Sequence, residues 1–183
     1  RFRTILRQRQ EQEAILASMS EGVLAVDDQD RVITLNRAAG QLLQVDPQLL
    51  RQQPVIEYIR NQEILNFIAT TREAPGPTER EIRLNGLQER YLQVHGSKLV
   101  DQAGAVFGVL LVLNDVTRLR RLEQVRRDFV ANVSHELRTP VTAIKGFVET
   151  LQTGAEPEEV RHFLEIMARQ ADRLHNIIED LLT

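Results

Sequence analysis

His135, Glu136 and Thr139 are the residues of this chain whose types and spacing suit a chemical step. They lie in Ser134-His135-Glu136-Leu137-Arg138-Thr139-Pro140, inside a long stretch of helical pattern. With about 3.6 residues per turn, His135 and Thr139 stand one turn apart on the same face, and Glu136 sits beside the imidazole. A neutral imidazole nitrogen is a nucleophile near neutral pH. An adjacent carboxylate can hold or accept the proton of the other ring nitrogen as attack proceeds, which suits phosphoryl capture. For an isolated His-Glu pair the competing reading is two solvated polar residues on a helix.

The elements that must position these residues are helical. Phe129, Val133, Leu137, Val141, Ile144, Val148 and Leu151 recur at spacings of three and four and form a stripe pointing away from His135, which is therefore expected to be exposed. Pro140 has no amide hydrogen for the carbonyl of Glu136, so a bend or local loosening is expected one turn after the histidine. The helical pattern begins at Arg118 and runs to Leu151. Leu119, Leu122, Val125 or Arg126, Phe129 and Val133 give it a near-heptad seam that can carry a rotation or shift. Arg118, Arg120, Arg121, Arg126 and Arg127 read as a solvated basic face. Thr153-Gly154-Ala155-Glu156-Pro157 is a stop and restart. In the second helix Val160, Leu164, Met167, Ala171, Leu174, Ile178 and Leu181 form a heptad stripe, with His162 and His175 as surface residues. A lone two-helix hairpin leaves much apolar surface exposed, and pairing two of them around a four-helix core would bury it.

Upstream, residues 1–19 read as one helix, with Arg1, Arg3, Arg7 and Arg9 ahead of the first acid. Such a basic stretch suits a juxtamembrane position behind a removed membrane segment. Val23–Val26 and Arg31–Leu35 read as a strand hairpin around Asp27-Asp28-Gln29-Asp30. Asn36 caps a helix over Arg37–Gln44, two further helical pieces span Val55–Arg60 and Glu63–Arg72, and Ala74-Pro75-Gly76-Pro77 ends the second. Strands follow over Thr78–Leu84, Tyr91–Val100 and Ala105–Asn114, separated by turn chemistry at Asn85-Gly86 and Asp101–Gly104. Five strands and several short helices make an α+β domain of a size that folds alone. His95 stands alone in a strand and reads as a surface or half-buried histidine rather than a haem ligand. Phe67, Tyr91 and Phe107 read as core, and no tightly bound cofactor is expected.

Bulk properties bound the rest. The 183 residues carry a net charge of −3 and 42% hydrophobic residues, which favours two modules and implies no broad nucleic-acid surface. With no cysteine there is no disulfide framework or thiolate metal site. There is no long apolar run, no initiator methionine, and the last residues stand in mid-pattern. An excised fragment is expected, its basic start placed on the cytoplasmic side of a removed membrane segment.

Ser134–Pro140 resembles the phosphoacceptor motif of sensor histidine kinases of two-component systems, in their dimerisation and histidine-phosphotransfer domain. The order of upstream elements, closing on Asn114-Asp115-Val116-Thr117, resembles a PAS sensory domain, in which an Asp-x-Thr element ties the sheet to the outgoing helix. Asp115 and Thr117 are the matching positions. The resemblance implies an N-terminal helix (1–19), a PAS domain (20–117), a coiled-coil signalling helix (118–128) and a dimerising hairpin (129–183). It further implies that His135 is phosphorylated, that Glu136 activates it as general base, and that Thr139 positions water for dephosphorylation of a response regulator. Asp115, Thr117 and Pro140 would transmit the signal. ATP and Mg²⁺ belong to a separate C-terminal domain whose asparagine and glycine-rich boxes do not occur in this sequence, so the chain alone is expected to be inactive with ATP. The implied partners are a second copy, that ATP-binding domain and a response-regulator receiver. Leu110–Thr117 joined to Arg126–Pro140 looks most like the phosphate-regulon sensor kinases. The alternative is an inert PAS and coiled-coil dimerisation module.

Overall fold

Asp27 turns the chain between the first two strands. Its Oδ1 accepts from the backbone N–H groups of Gln29 and Arg31, both at 2.9 Å. β1 (Gly22–Asp27) and β2 (Val32–Leu35) thereby close as an antiparallel hairpin. The computed structural model describes residues 11, 14–86, 88–154 and 156–182. The helix expected over residues 1–19 lies largely outside them; within them, residues 14–18 are helical.

Asn36 locks the entry to this hairpin. Its Oδ1 accepts from Val23 N (2.8 Å) and Ala39 N (2.9 Å), while its Nδ2 donates to the carbonyls of Leu16 (3.1 Å) and Glu21 (2.9 Å). One buried amide thus caps α1 (Arg37–Leu43) and ties it to β1 and to the preceding segment. Asn36→Ala strands several of these groups. It is expected to cost about 1–3 kcal/mol, read as a lower urea midpoint at unchanged slope.

Three more helices follow. α2 (Pro47–Leu50) starts on an Asp46 cap with proline in its first turn, and α3 (Val55–Tyr58) follows Pro54. α4 (Gln62–Glu73) is capped by Asn61, whose side chain accepts from Ile64 N at 3.0 Å. β3 (Thr78–Leu84), β4 (Arg90–Val100) and β5 (Val106–Asp115) complete an all-antiparallel sheet of order β2-β1-β5-β4-β3. Alternation puts Leu24, Val26, Ile82, Leu92, Val94, Val109, Leu111 and Leu113 on one face. There they share a single core with Leu50, Val55, Ile59, Ile64, Phe67 and Ile68 from the helical layer.

The α+β architecture expected from the sequence is the one observed, with particular exceptions. Phe107 is exposed rather than core. Leu99 faces Gly108 and Val100 faces Val106, so Phe107 is the extra residue of a β-bulge and has no partner across the ladder. Tyr91 is half-buried, its hydroxyl donating to Glu89 at 3.1 Å. His95 is exposed on the sheet, 3.8 Å from Glu79.

The chain divides into two compact units, Arg1–Arg120 and Arg121–Thr183. α5 (Thr117–Thr153), whose first turn belongs to the first unit, and α6 (Pro157–Leu182) form a hairpin in the second, and its turn uses Gly154 at φ 102°. α5 runs through Pro140 without interruption, and Pro140 is the one residue of α5 that is buried. The loosening expected there does not break the helix. Phe147 and Phe163 meet across the hairpin with ring centroids 5.3 Å apart.

The apolar stripes divide in two. Val133, Leu137, Ile144, Val148 and Leu151 are half-buried, as are Val160, Met167 and Leu174, and the sequence reading missed Phe147, Phe163, Ile166 and Ile177 beside them. Phe129, Val141, Leu164, Ile178 and Leu181 remain exposed, as do Leu119, Leu122 and Val125. A single hairpin partner covers only one side of a stripe about 100° wide. Among the described residues no helix is long and apolar enough to cross a membrane.

Candidate functional site

The first site element is the junction where the sheet gives way to α5. Asp115 Oδ1 accepts from both Thr117 N (2.9 Å) and Thr117 Oγ1 (2.5 Å), capping the helix start. The Thr117 hydroxyl oxygen in turn accepts from Tyr91 N at 2.9 Å, and Val116 N donates to Tyr91 O at 2.9 Å. β4 and the first turn of α5 are therefore stitched together through Tyr91. Arg120 adds a further link by placing its Nε 2.8 Å from Glu81 Oε2 on β3, with its Nη2 on the same oxygen. The sequence singled out Asp115 and Thr117. It gave no sign of Glu81 with Arg120, because 39 residues separate them and each looks like an ordinary surface charge.

The second element lies on α5. His135 is exposed, on the side of the helix away from the half-buried Val133 and Leu137 and the buried Pro140. Thr139 is one turn further on, and its Oγ1 donates to the His135 carbonyl at 3.3 Å, a long bond that is cheaply released. Ser134 Oγ donates likewise to Val130 O at 2.7 Å. Glu136 does not share the histidine's surroundings, since its Oε2 faces Arg173 Nη2 of α6 at 3.3 Å. Pro140 withholds the amide that would serve the Glu136 carbonyl, so the backbone acceptor beside the histidine has no helical donor. An exposed imidazole with a hydroxyl one turn away and a neighbouring carboxylate can receive a phosphoryl group from a large donor and present it to a second protein. Among the described residues no three His, Cys, Asp or Glu side chains cluster to hold a metal ion.

Comparison with known proteins fits both elements to families. A family model of the PAS fold matches residues 10–116. The chain belongs to the PAS family. Downstream of the PAS domain, the model of the His Kinase A (phospho-acceptor) domain matches residues 125–183, which contain His135. Among curated proteins, the sensor histidine kinase WalK of Bacillus subtilis is 32% identical over 174 residues, covering 92% of this chain and 28% of that protein. The sensor protein kinase WalK of Staphylococcus epidermidis is 32% identical over 186 residues, with 93% and 28% covered. The chain thus spans a little over a quarter of the length of these relatives. They carry the WalK name, and the narrower likeness to phosphate-regulon sensors finds no support in them.

Solved structures agree on the fold. The PAS domain of Bordetella pertussis BvgS aligns over 70% of this chain and 99% of its own, with a TM-score of 0.53 at 12% identity. Histidine kinase ThkA, in a complex with the response regulator protein TrrA, aligns over 92% of this chain and 53% of its own, with a TM-score of 0.54 at 22% identity. The chain is a PAS domain followed by a His Kinase A domain, similar in sequence to WalK sensor kinases.

Proposed function

We propose that this chain is the sensory and phosphoacceptor portion of a two-component sensor histidine kinase. The observation that carries this reading is an exposed His135, one turn from Thr139, within the residues matched by the phospho-acceptor domain. A ring nitrogen of His135 attacks the γ-phosphorus of ATP held with Mg²⁺ by a separate domain. The bond to the ADP oxygen breaks, and Glu136 takes the proton of the other ring nitrogen. The phosphoryl group then passes to an aspartate of a response-regulator receiver. Phosphoryl transfer depends on in-line placement and charge compensation, which a solvent-facing imidazole leaves to the incoming domain.

Homodimerisation belongs to the same reading. Phe129, Val141, Leu164, Ile178 and Leu181 are apolar, exposed and on helices, and a second hairpin would cover them in a four-helix core. Asp115 and Thr117 would pass changes in the sheet to α5 through the Tyr91 stitches. Pro140 would ease movement of the histidine between competent and blocked placements.

The test is phosphoryl incorporation into the chain on mixing with labelled ATP and an active histidine kinase ATP-binding domain. Acid-labile label is expected with the donor domain and none with ATP alone. No label from several active donors, on a folded dimer, would leave an inert dimerisation module. Thr139 separates the two directions of the chemistry. Thr139→Ala is expected to slow hydrolysis of the receiver's aspartyl phosphate about 100-fold, by loss of water positioning, while uptake by His135 persists. Equal loss of both would remove Thr139 from the phosphatase role.

A further inference from the structure

Glu136 and His135 are adjacent on α5, and adjacent helical residues point about 100° apart. The Glu136 carboxylate therefore has two destinations, back toward the imidazole or across to α6. In this structure it lies across the hairpin, with Oε2 3.3 Å from Arg173 Nη2. The hairpin packing sets that meeting. Phe147 and Phe163 fix the register of the two helices, and about three turns back along α5 and on along α6 the same register brings Glu136 level with Arg173. Arg173 precedes the half-buried Leu174 on α6, and its side chain is 55% exposed. The Glu136 side chain is 61% exposed. A solvent-exposed pair of this kind is weak, so it biases the carboxylate without trapping it.

We propose that Arg173 is a positioning residue that withholds the Glu136 carboxylate from His135, so that release of the Glu136–Arg173 pair sets how fast His135 accepts a phosphoryl group. This rests on His135 being the acceptor and Glu136 its base. While Arg173 holds the carboxylate, the imidazole must give its proton to water. When α6 shifts against α5 or an incoming anion draws Arg173 away, Glu136 turns back and the acceptor is activated. A mere brace between helices would act on stability and not on the nucleophile.

Phosphoramidate, a small phosphoryl donor, tests this without any ATP-binding domain. A His135 ring nitrogen forms the new bond to phosphorus as the P–N bond of the donor breaks. Ammonia departs with that electron pair, and the other ring nitrogen loses its proton to Glu136 or water. The rate of His135 phosphorylation is measured on the whole chain by mass spectrometry, with His95, His162 and His175 as internal references. Arg173→Gln is expected to raise the His135 rate several-fold and leave the references unchanged. Arg173→Lys, which keeps the cation for this single contact, should keep the parent rate. In a Glu136→Gln background Arg173→Gln should give no acceleration.

An unchanged or lower rate for Arg173→Gln, or the same acceleration in both backgrounds, would overturn the withholding role. Thermal midpoint and dimer mass, measured on every variant, separate it from a packing effect. Labelling from ATP by a supplied kinase domain is the independent arm. Its failure, with the phosphoramidate coupling intact, would count against the kinase reading and not against Arg173.

Discussion

His135→Gln is expected to reduce donor-dependent phosphoryl incorporation to background while leaving the fold and the oligomeric state unchanged. The expected loss is complete because no other imidazole can substitute. His95 lies on the sheet of the first unit beside Glu79, and His162 and His175 are exposed on α6 outside the phosphoacceptor motif. Glutamine is a better helix former than histidine and keeps a polar group of similar reach, so an exposed site on α5 tolerates it. Stability should therefore move by less than about 0.5 kcal/mol, and circular dichroism and sedimentation should match the parent. Acid-labile label that persists in His135→Gln would place the acceptor elsewhere and withdraw the assigned roles of Glu136 and Thr139 together.

Phe67→Ala is expected to unfold the PAS domain at temperatures where the parent is folded. Phe67 is 1% exposed at the centre of the core, beneath β3 and β4. Its removal forfeits apolar burial and leaves a cavity, costing about 3–5 kcal/mol. For a domain of this size that lowers the thermal midpoint by roughly 12 °C or more. α4 places Ile64, Phe67, Ile68 and Thr71 on one buried face, so no neighbour on that helix is free to refill the space. Calorimetry of the whole chain should show the loss in the transition of the first unit, with that of the α5–α6 hairpin unmoved. A midpoint shift under a few degrees would mean that the core collapses around the gap.

The strands and helices were legible where local chemistry is unambiguous. Asn36 and Gly154 mark a helix start and a helix end, and Pro157 begins α6 as expected. Asp46-Pro47 carried the same kind of signal for α2, a cap followed by a first-turn proline, and was passed over because the helix is only four residues long. Phe107 could not be placed from sequence, since alternation predicts an inward residue and only the ladder reveals the bulge. The site divided along the same line. His135 and Thr139 are neighbours by helical periodicity and were found together. Glu136 was placed beside the imidazole, yet it pairs with Arg173 on the other helix 37 residues away, a pairing that depends on hairpin register.

The register of β1 on β5 has a consequence for how the PAS domain sits in the line of the chain. Gly22, the first residue of β1, pairs with Leu113 near the end of β5. Neighbouring strands stand about 4.8 Å apart, so the chain enters and leaves this domain side by side. Whatever displaces the incoming segment acts on the outgoing one across a single row of hydrogen bonds, without having to cross the core.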